Sequence, residues 1–137
     1  MSFRETALRN RHTLIVAIAY LARQKGSTAA NTAYEICQQA IQWGYTAPRT
    51  APKGATMDMW VKRKEVPAWA AKAVSRMLLV DPDFQLQSQE QALALALTLA
   101  EALPEQSADE LFNQIPTSLQ KHLTLSLLNQ ACEAKKI

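Results

Sequence analysis

Leu93-Ala94-Leu95-Ala96-Leu97-Thr98-Leu99 alternates large and small residues, and by period alone it would be a strand. Its residue types decide otherwise. Alanine and leucine are the strongest helix formers, and β-branched residues are nearly absent from the stretch. A helix over 88–103 is expected, with Ser88 and Gln91 at capping distance. Such a helix is apolar on nearly every side over 92–100, apart from Thr98, so a single neighbour cannot cover it. Its cover must come from several helices, of this chain or of a second copy. The expected fold class is all-α, a compact multi-helix domain.

The remaining periodicity agrees. Leu8, His12, Ile15, Ala19 and Ala22 recur at helical spacing over 3–23, behind a Ser2/Glu5 capping pair and ahead of Gly26. Ala33, Ile36, Cys37, Ala40 and Ile41 mark a helix over 28–43 closed by Gly44. Residues 45–55 hold Pro48, Pro52 and Gly54 and read as a loop, with no compact apolar set to hold it down. A short helix over 56–64 stops before Val66-Pro67, because the residue preceding proline avoids the helical region. Pro67 then suits the first turn of a helix over 67–79. Beyond the Asp81-Pro82-Asp83 turn, Ser107 and Glu110 open a helix over 107–114. Leu119, Leu123 and Leu127 stripe a last helix over 117–133.

With 137 residues, 48% of them hydrophobic and 20% charged, the chain can bury a core without staples and is not of the disordered class. Its apolar runs fall short of the ~18 residues a membrane span needs. Arg23, Gln24 and Lys25 after 14–21 are a poor context for signal cleavage. Cys37 and Cys132 lie far apart in helical segments, as free thiols in a reducing cytoplasm do, and a cytoplasmic location is expected.

The net charge of +3 hides a division. Residues 1–80 hold twelve basic and four acidic side chains, a balance of +8, whereas residues 81–137 hold three and eight, a balance of −5. The sign changes at Asp81-Pro82-Asp83, which separates a basic helical part, 1–80, from an acidic Leu-rich part, 81–137. A polyanion is the expected partner of the first part. The second part is expected to pack on the first or to form a homodimer contact, and to face away from the polyanion.

The segment 56–74 reads Thr56-Met57-Asp58-Met59-Trp60-Val61-Lys62-Arg63-Lys64-Glu65-Val66-Pro67 and continues into an alanine-rich helix up to Val74. It resembles the recognition helix and following helix of phage Cro-like and repressor-like helix-turn-helix regulators. Thr56, Met57, Trp60, Lys62, Arg63, Val66 and Pro67 fill the family's pattern. The chain departs from that pattern in the long 45–55 loop, where the family has a tight turn, and in Lys64, where the family commonly has glycine. The resemblance implies a helix-turn-helix-like N-terminal part with a helical C-terminal extension. It further implies double-stranded DNA as ligand, a two-fold dimer, and a role in transcription regulation. Met57 and Trp60 would form the apolar back of the reading helix, with Trp60 mostly buried. The candidate nucleic-acid-binding residues are Arg49, Lys53, Thr56, Asp58, Met59, Lys62, Arg63 and Lys64.

Other chemistries find no motif. His12 and His122 sit in apolar-periodic segments, as packed or rim histidines do, and no His/Cys/Asp spacing suits zinc. Gly26, Gly44 and Gly54 are isolated and form no phosphate loop. No catalytic residue, metal or cofactor is expected, and the chain reads as a non-enzymatic DNA-binding protein. The alternative is a small phage-type interaction protein that inhibits a host protein or ribonucleoprotein complex through the same basic face. A 45–55 loop that seats its flanking helices favours the first reading, and one that projects as an arm favours the second.

Overall fold

The computed structural model describes residues 1–136. It contains α1 (Phe3–Arg9), α2 (His12–Gln24), α3 (Ala29–Gln42), α4 (Gly54–Arg63), α5 (Ala68–Leu79), α6 (Gln89–Ala102), α7 (Ala108–Gln114) and α8 (Leu125–Ala134), with a 3-10 turn at Thr117–Leu119. No strand occurs among the described residues, and no helix is long and apolar enough to cross a membrane. Side-chain oxygens start most of these helices. Ser2, Thr28, Ser88, Ser107 and Thr124 each accept a hydrogen bond from the backbone N–H three residues on. Each such cap is worth about 1 kcal/mol. Ser107 and Glu110 close the full reciprocal box.

Helix α6 is the axis of the fold. Leu95, Leu97, Leu99, Thr98 and the alanines at 92, 94, 96 and 100 have no exposed surface. Helices α1, α2, α5, α7 and α8 all pack on it. The Thr98 hydroxyl accepts from Arg11 Nε at 3.3 Å, so the one polar side chain of the run is satisfied. The apolar circumference foreseen in the sequence is thus covered inside one chain, and it gives no reason to invoke a second copy. One apolar core includes Leu14, Ile36 and Val74 from the basic segment and Leu95, Leu111 and Leu128 from the acidic one.

Two expected helices are broken. The 3–23 helix splits at residues 10 and 11. Asn10 Nδ2 donates to the Thr6 carbonyl at 2.8 Å, while Thr13 Oγ1 donates to the Asn10 carbonyl. These side chains offer the backbone an alternative to the helical ladder. The break lets α1 turn onto α6 and α8, where Ala7 is buried beside Leu97 and Ala134. The 117–133 helix begins instead at Leu125, under a Thr124 cap, and Leu119 and Leu123 reach the core from the preceding turn.

Helices α2, α3 and α5 form a mutually packed trio, and α4 lies on α2 and α3. Gly54, the first residue of α4, meets the start of α3. A Cβ placed there would stand 2.9 Å from Ala29 Cβ and 3.1 Å from the Ala30 backbone nitrogen. The backbone atom cannot swing aside as a long side chain can. Gly54→Ala is therefore expected to lower stability by about 1–3 kcal/mol, the usual effect of overpacking. Urea denaturation of the two proteins measures it, and an unchanged midpoint would mean that α4 is not seated this tightly.

Candidate nucleic-acid interface

Helix α4 has two sides. Met57 is buried against the core, with Trp60 and Val61 partly buried beside it. Asp58, Met59, Lys62 and Arg63 are exposed, and Thr56 is half-exposed. The exposed residues 59, 62 and 63 share one face at i, i+3, i+4 spacing. Lys53 is exposed at the N-terminal boundary of the helix, and Lys64 is exposed at its C-terminal boundary. The structure thus brings seven of the eight sequence-predicted residues, 53 to 64, onto one helix and its two ends. Arg49 stands apart: its guanidinium lies over the Trp69 ring of α5, 4.8 Å from the centroid.

Trp60 is mostly buried, as expected, although it is packed against the core and not sealed within it. It packs edge-to-face on Trp69, with ring centroids 5.9 Å apart and planes at 85°. The pair sits at the rim of the core, where α4 and α5 meet.

The 43–53 connection has anchors the sequence reading did not supply. Tyr45 Oη donates to the Ala102 carbonyl of α6 at 2.8 Å and accepts from Arg76 Nη1 at 3.2 Å. Arg76 lies 4.1 Å from the Trp43 ring centroid, and Lys72 Nζ lies 5.9 Å from that of Tyr45. Trp43 and Tyr45 themselves meet edge-to-face at 6.3 Å. The loop is fastened by stacked cations and rings instead of by an apolar cluster, so apolar periodicity carries no sign of its anchoring. The signal was present in the spacing of Trp69, Lys72 and Arg76, which share a face of α5 at i, i+3, i+7.

Lys64 has φ 54° and ψ 38° and is the one non-glycine residue with positive φ among those described. It ends α4 in the left-handed conformation that helix C-termini usually give to glycine.

His12 opens α2 close to Lys64. Its Nδ1 is buried without a well-formed hydrogen bond. Burial first, and the Lys64 charge second, hold the imidazole below its ordinary value, while the Arg9 carbonyl pulls the other way. His122, expected inside a helix, is exposed in the turn before α8.

Charge pairing is divided across the molecule. Glu101 pairs with Arg4 and Arg11, Asp81 with Lys25, and Glu133 with Lys136. Lys135 donates to the Ala100 and Pro104 carbonyls. Among the described residues no carboxylate stands within ion-pair distance of Arg49, Lys53, Lys62, Arg63, Lys64, Lys72 or Arg76. Asp58 is one turn from Lys62 without bonding to it. The described residues also hold no cluster of three metal-ligating side chains. A surface groove of ≈ 740 Å³ between α2 and residues 83–91 has Arg23 and Asp83 as its only charged lining. Comparison with family models, with characterised proteins and with solved structures finds no match to this chain.

Two stability measurements follow from this geometry. Lys64→Gly relieves a left-handed strain of about 1–2 kcal/mol and adds roughly 0.5–1 kcal/mol of chain entropy to the unfolded state. The expected net gain is about 0.5–1 kcal/mol, read from urea unfolding, and a loss would mean that the lysine side chain makes up for its backbone. For His12, the unfolded chain takes up the proton at a higher pH than the folded chain does. The contribution of the neutral imidazole is complete above about pH 6.5 and is lost as pH falls from there toward the depressed folded value. His12→Gln is expected to flatten the stability profile between about pH 7.5 and 5.5; profiles that stay parallel would show that His12 is not the group responsible.

Proposed function

We propose that the protein is a non-enzymatic DNA-binding protein of the regulator kind that segment 56–74 resembles, reading double-stranded DNA with α4. The observation that carries this reading is the division of charge. Seven cations of α4, the preceding loop and α5 lack carboxylate partners and stand together, whereas elsewhere Arg4, Arg11, Lys25 and Lys136 are paired and the unpaired Arg9, Arg23 and Lys121 stand on separate elements. Unpaired cations gathered on one helix and its flanks repel one another. A phosphate backbone removes that repulsion and releases its counterions on contact.

The chemistry of α4 suits a groove. Its ten residues give a rod of about 15 Å. Met57 and Trp60 fix the rod from behind, so the outer side chains are presented by a rigid element. Lys62, Arg63 and Lys64 supply phosphate charge at one end and Lys53 at the other. Thr56, Asp58 and Met59 offer a hydroxyl, an acceptor for a cytosine amino group and an apolar contact for a thymine methyl. Arg49 belongs to the edge of this surface. A two-fold complex on paired half-sites would need a contact surface other than α6, whose apolar sides are already covered.

A gel shift on duplex DNA across a salt series tests the proposal. The slope of log affinity against log salt is expected to be steep, and Lys62→Ala and Arg63→Ala should each reduce it by about 1. Absence of binding at low salt, or a flat profile, would overturn it.

A further inference from the structure

All three tryptophans of this chain lie in one surface strip, and none is in the core. The core is made of alanine, leucine, isoleucine and valine with Met57, and Phe84 is the single aromatic among its buried members. The indoles instead alternate with cations along α5. Trp60 and Trp69 meet at 5.9 Å with Arg49 over the second ring, and Trp43 and Tyr45 carry Arg76 and Lys72 over theirs. From Trp69 to Arg76 the strip runs about 10 Å along the helix.

Anchoring the 43–53 loop accounts for these contacts, yet Arg49 remains exposed and Trp43, Tyr45, Trp69, Lys72 and Arg76 each keep part of their surface. Arg49 is exposed while its guanidinium is held over Trp69 and by its own Nε, which donates to the Thr50 carbonyl at 3.3 Å. Arg76 is fixed by Trp43 and by the Tyr45 hydroxyl. A guanidinium restrained in this way offers a flat cationic surface whose ordering has been completed on folding. Nucleobases stack on such planes and on aromatic rings, and phosphates pair with the N–H edges. The strip has no carboxylate partner that would compete for those edges among the described residues.

We propose that the strip formed by Trp43, Tyr45, Arg49, Trp69, Lys72 and Arg76 is a stacking site for two or three unpaired nucleotides, distinct from the duplex surface of α4. The strip holds three cation–ring pairs, and one base to a pair gives two or three nucleotides. Because stacking tolerates any base, the site is expected to show weak sequence preference. The duplex reading draws on the same unpaired cations of the loop and α5, but the proposal does not require α4 to enter a groove, since the strip takes unpaired bases and not a duplex.

Since every indole lies in or against the strip, tryptophan fluorescence reports on it directly. The full chain is titrated at low salt with a single-stranded oligothymidylate of about twelve nucleotides, which covers one such site with room to spare. A saturable quench is expected. Arg49→Lys keeps the charge and removes the plane, so it should weaken binding about tenfold, as loss of one stacked base does. If Arg49→Lys lowers the melting temperature by loosening the loop, Lys72→Gln on the helix is read in its place, with a loss of several-fold and a shallower salt slope. Absence of a saturable quench overturns the site. So does Arg49→Lys binding as tightly as the parent protein, or inorganic polyphosphate competing as well as the oligonucleotide at equal charge, because either marks a surface of charge alone. A failed gel shift on duplex DNA leaves this titration readable, and a failed titration leaves the duplex result readable.

Discussion

Burial of α6 on every side is the constraint from which the rest of the architecture follows. A helix with no polar face must be enclosed, and five other helices close over it. Its alternating alanines let neighbouring backbones approach, and its leucines fill the spaces between them. Helix α5 answers with Ala70, Ala71 and Ala73, all without exposed surface. Enclosure also explains the breaks in the chain. Helix α1 has to leave the line of α2 to reach α6, and Asn10 and Thr13 give the backbone somewhere to put its hydrogen bonds while it turns.

The candidate interface inherits its rigidity from this core. Helices α2, α3 and α5 pack together and form the bed, and α4 rests on the first two through Met57. Gly54 allows the start of α4 to touch the start of α3. Tyr45 then ties the intervening loop to the last turn of α6, so a helix from the acidic segment holds in place a loop from the basic one. The exposed side chains of α4 therefore project from a surface fixed at both ends. Preorganisation of this kind is what allows a small set of cations to act as a site instead of a diffuse charged face.

The same core decides where charge is cancelled. Glu101, on the rim of α6, draws in Arg4 and Arg11. Asp81 draws in Lys25, and each partner moves the other toward the charged form, although burial of Asp81 opposes this. Among the cations left without a carboxylate, one group stands together on α4, α5 and the loop before α4, while Arg9, Arg23 and Lys121 stand on other elements. Counting charges in the sequence gave +8 for the first segment but could not say which of them remain free, because the acids that neutralise several lie in the other segment.

Helix content, most helix starts and the outward residues of α4 were readable in the sequence. They depend on interactions within about one turn: a hydroxyl and the N–H three residues on, or the spacing of Met57 and Trp60. Such short-range rules act in the same way whatever surrounds the segment. The break at Asn10, the late start of α8, the rim position of Trp60 and the fastening of the 43–53 loop were not readable there. The break, the rim position and the loop depend on groups beyond one helical turn: Leu97 and Ala134 beside Ala7, Trp69 beside Trp60, and Ala102 bonded to Tyr45. The sequence by itself determined that this chain is helical and that one of its helices must be enclosed, because propensity and apolar periodicity are local. Only the tertiary structure decided which cations go unpaired and where the tryptophans gather, because ion pairs and ring contacts are made between segments that the sequence holds apart.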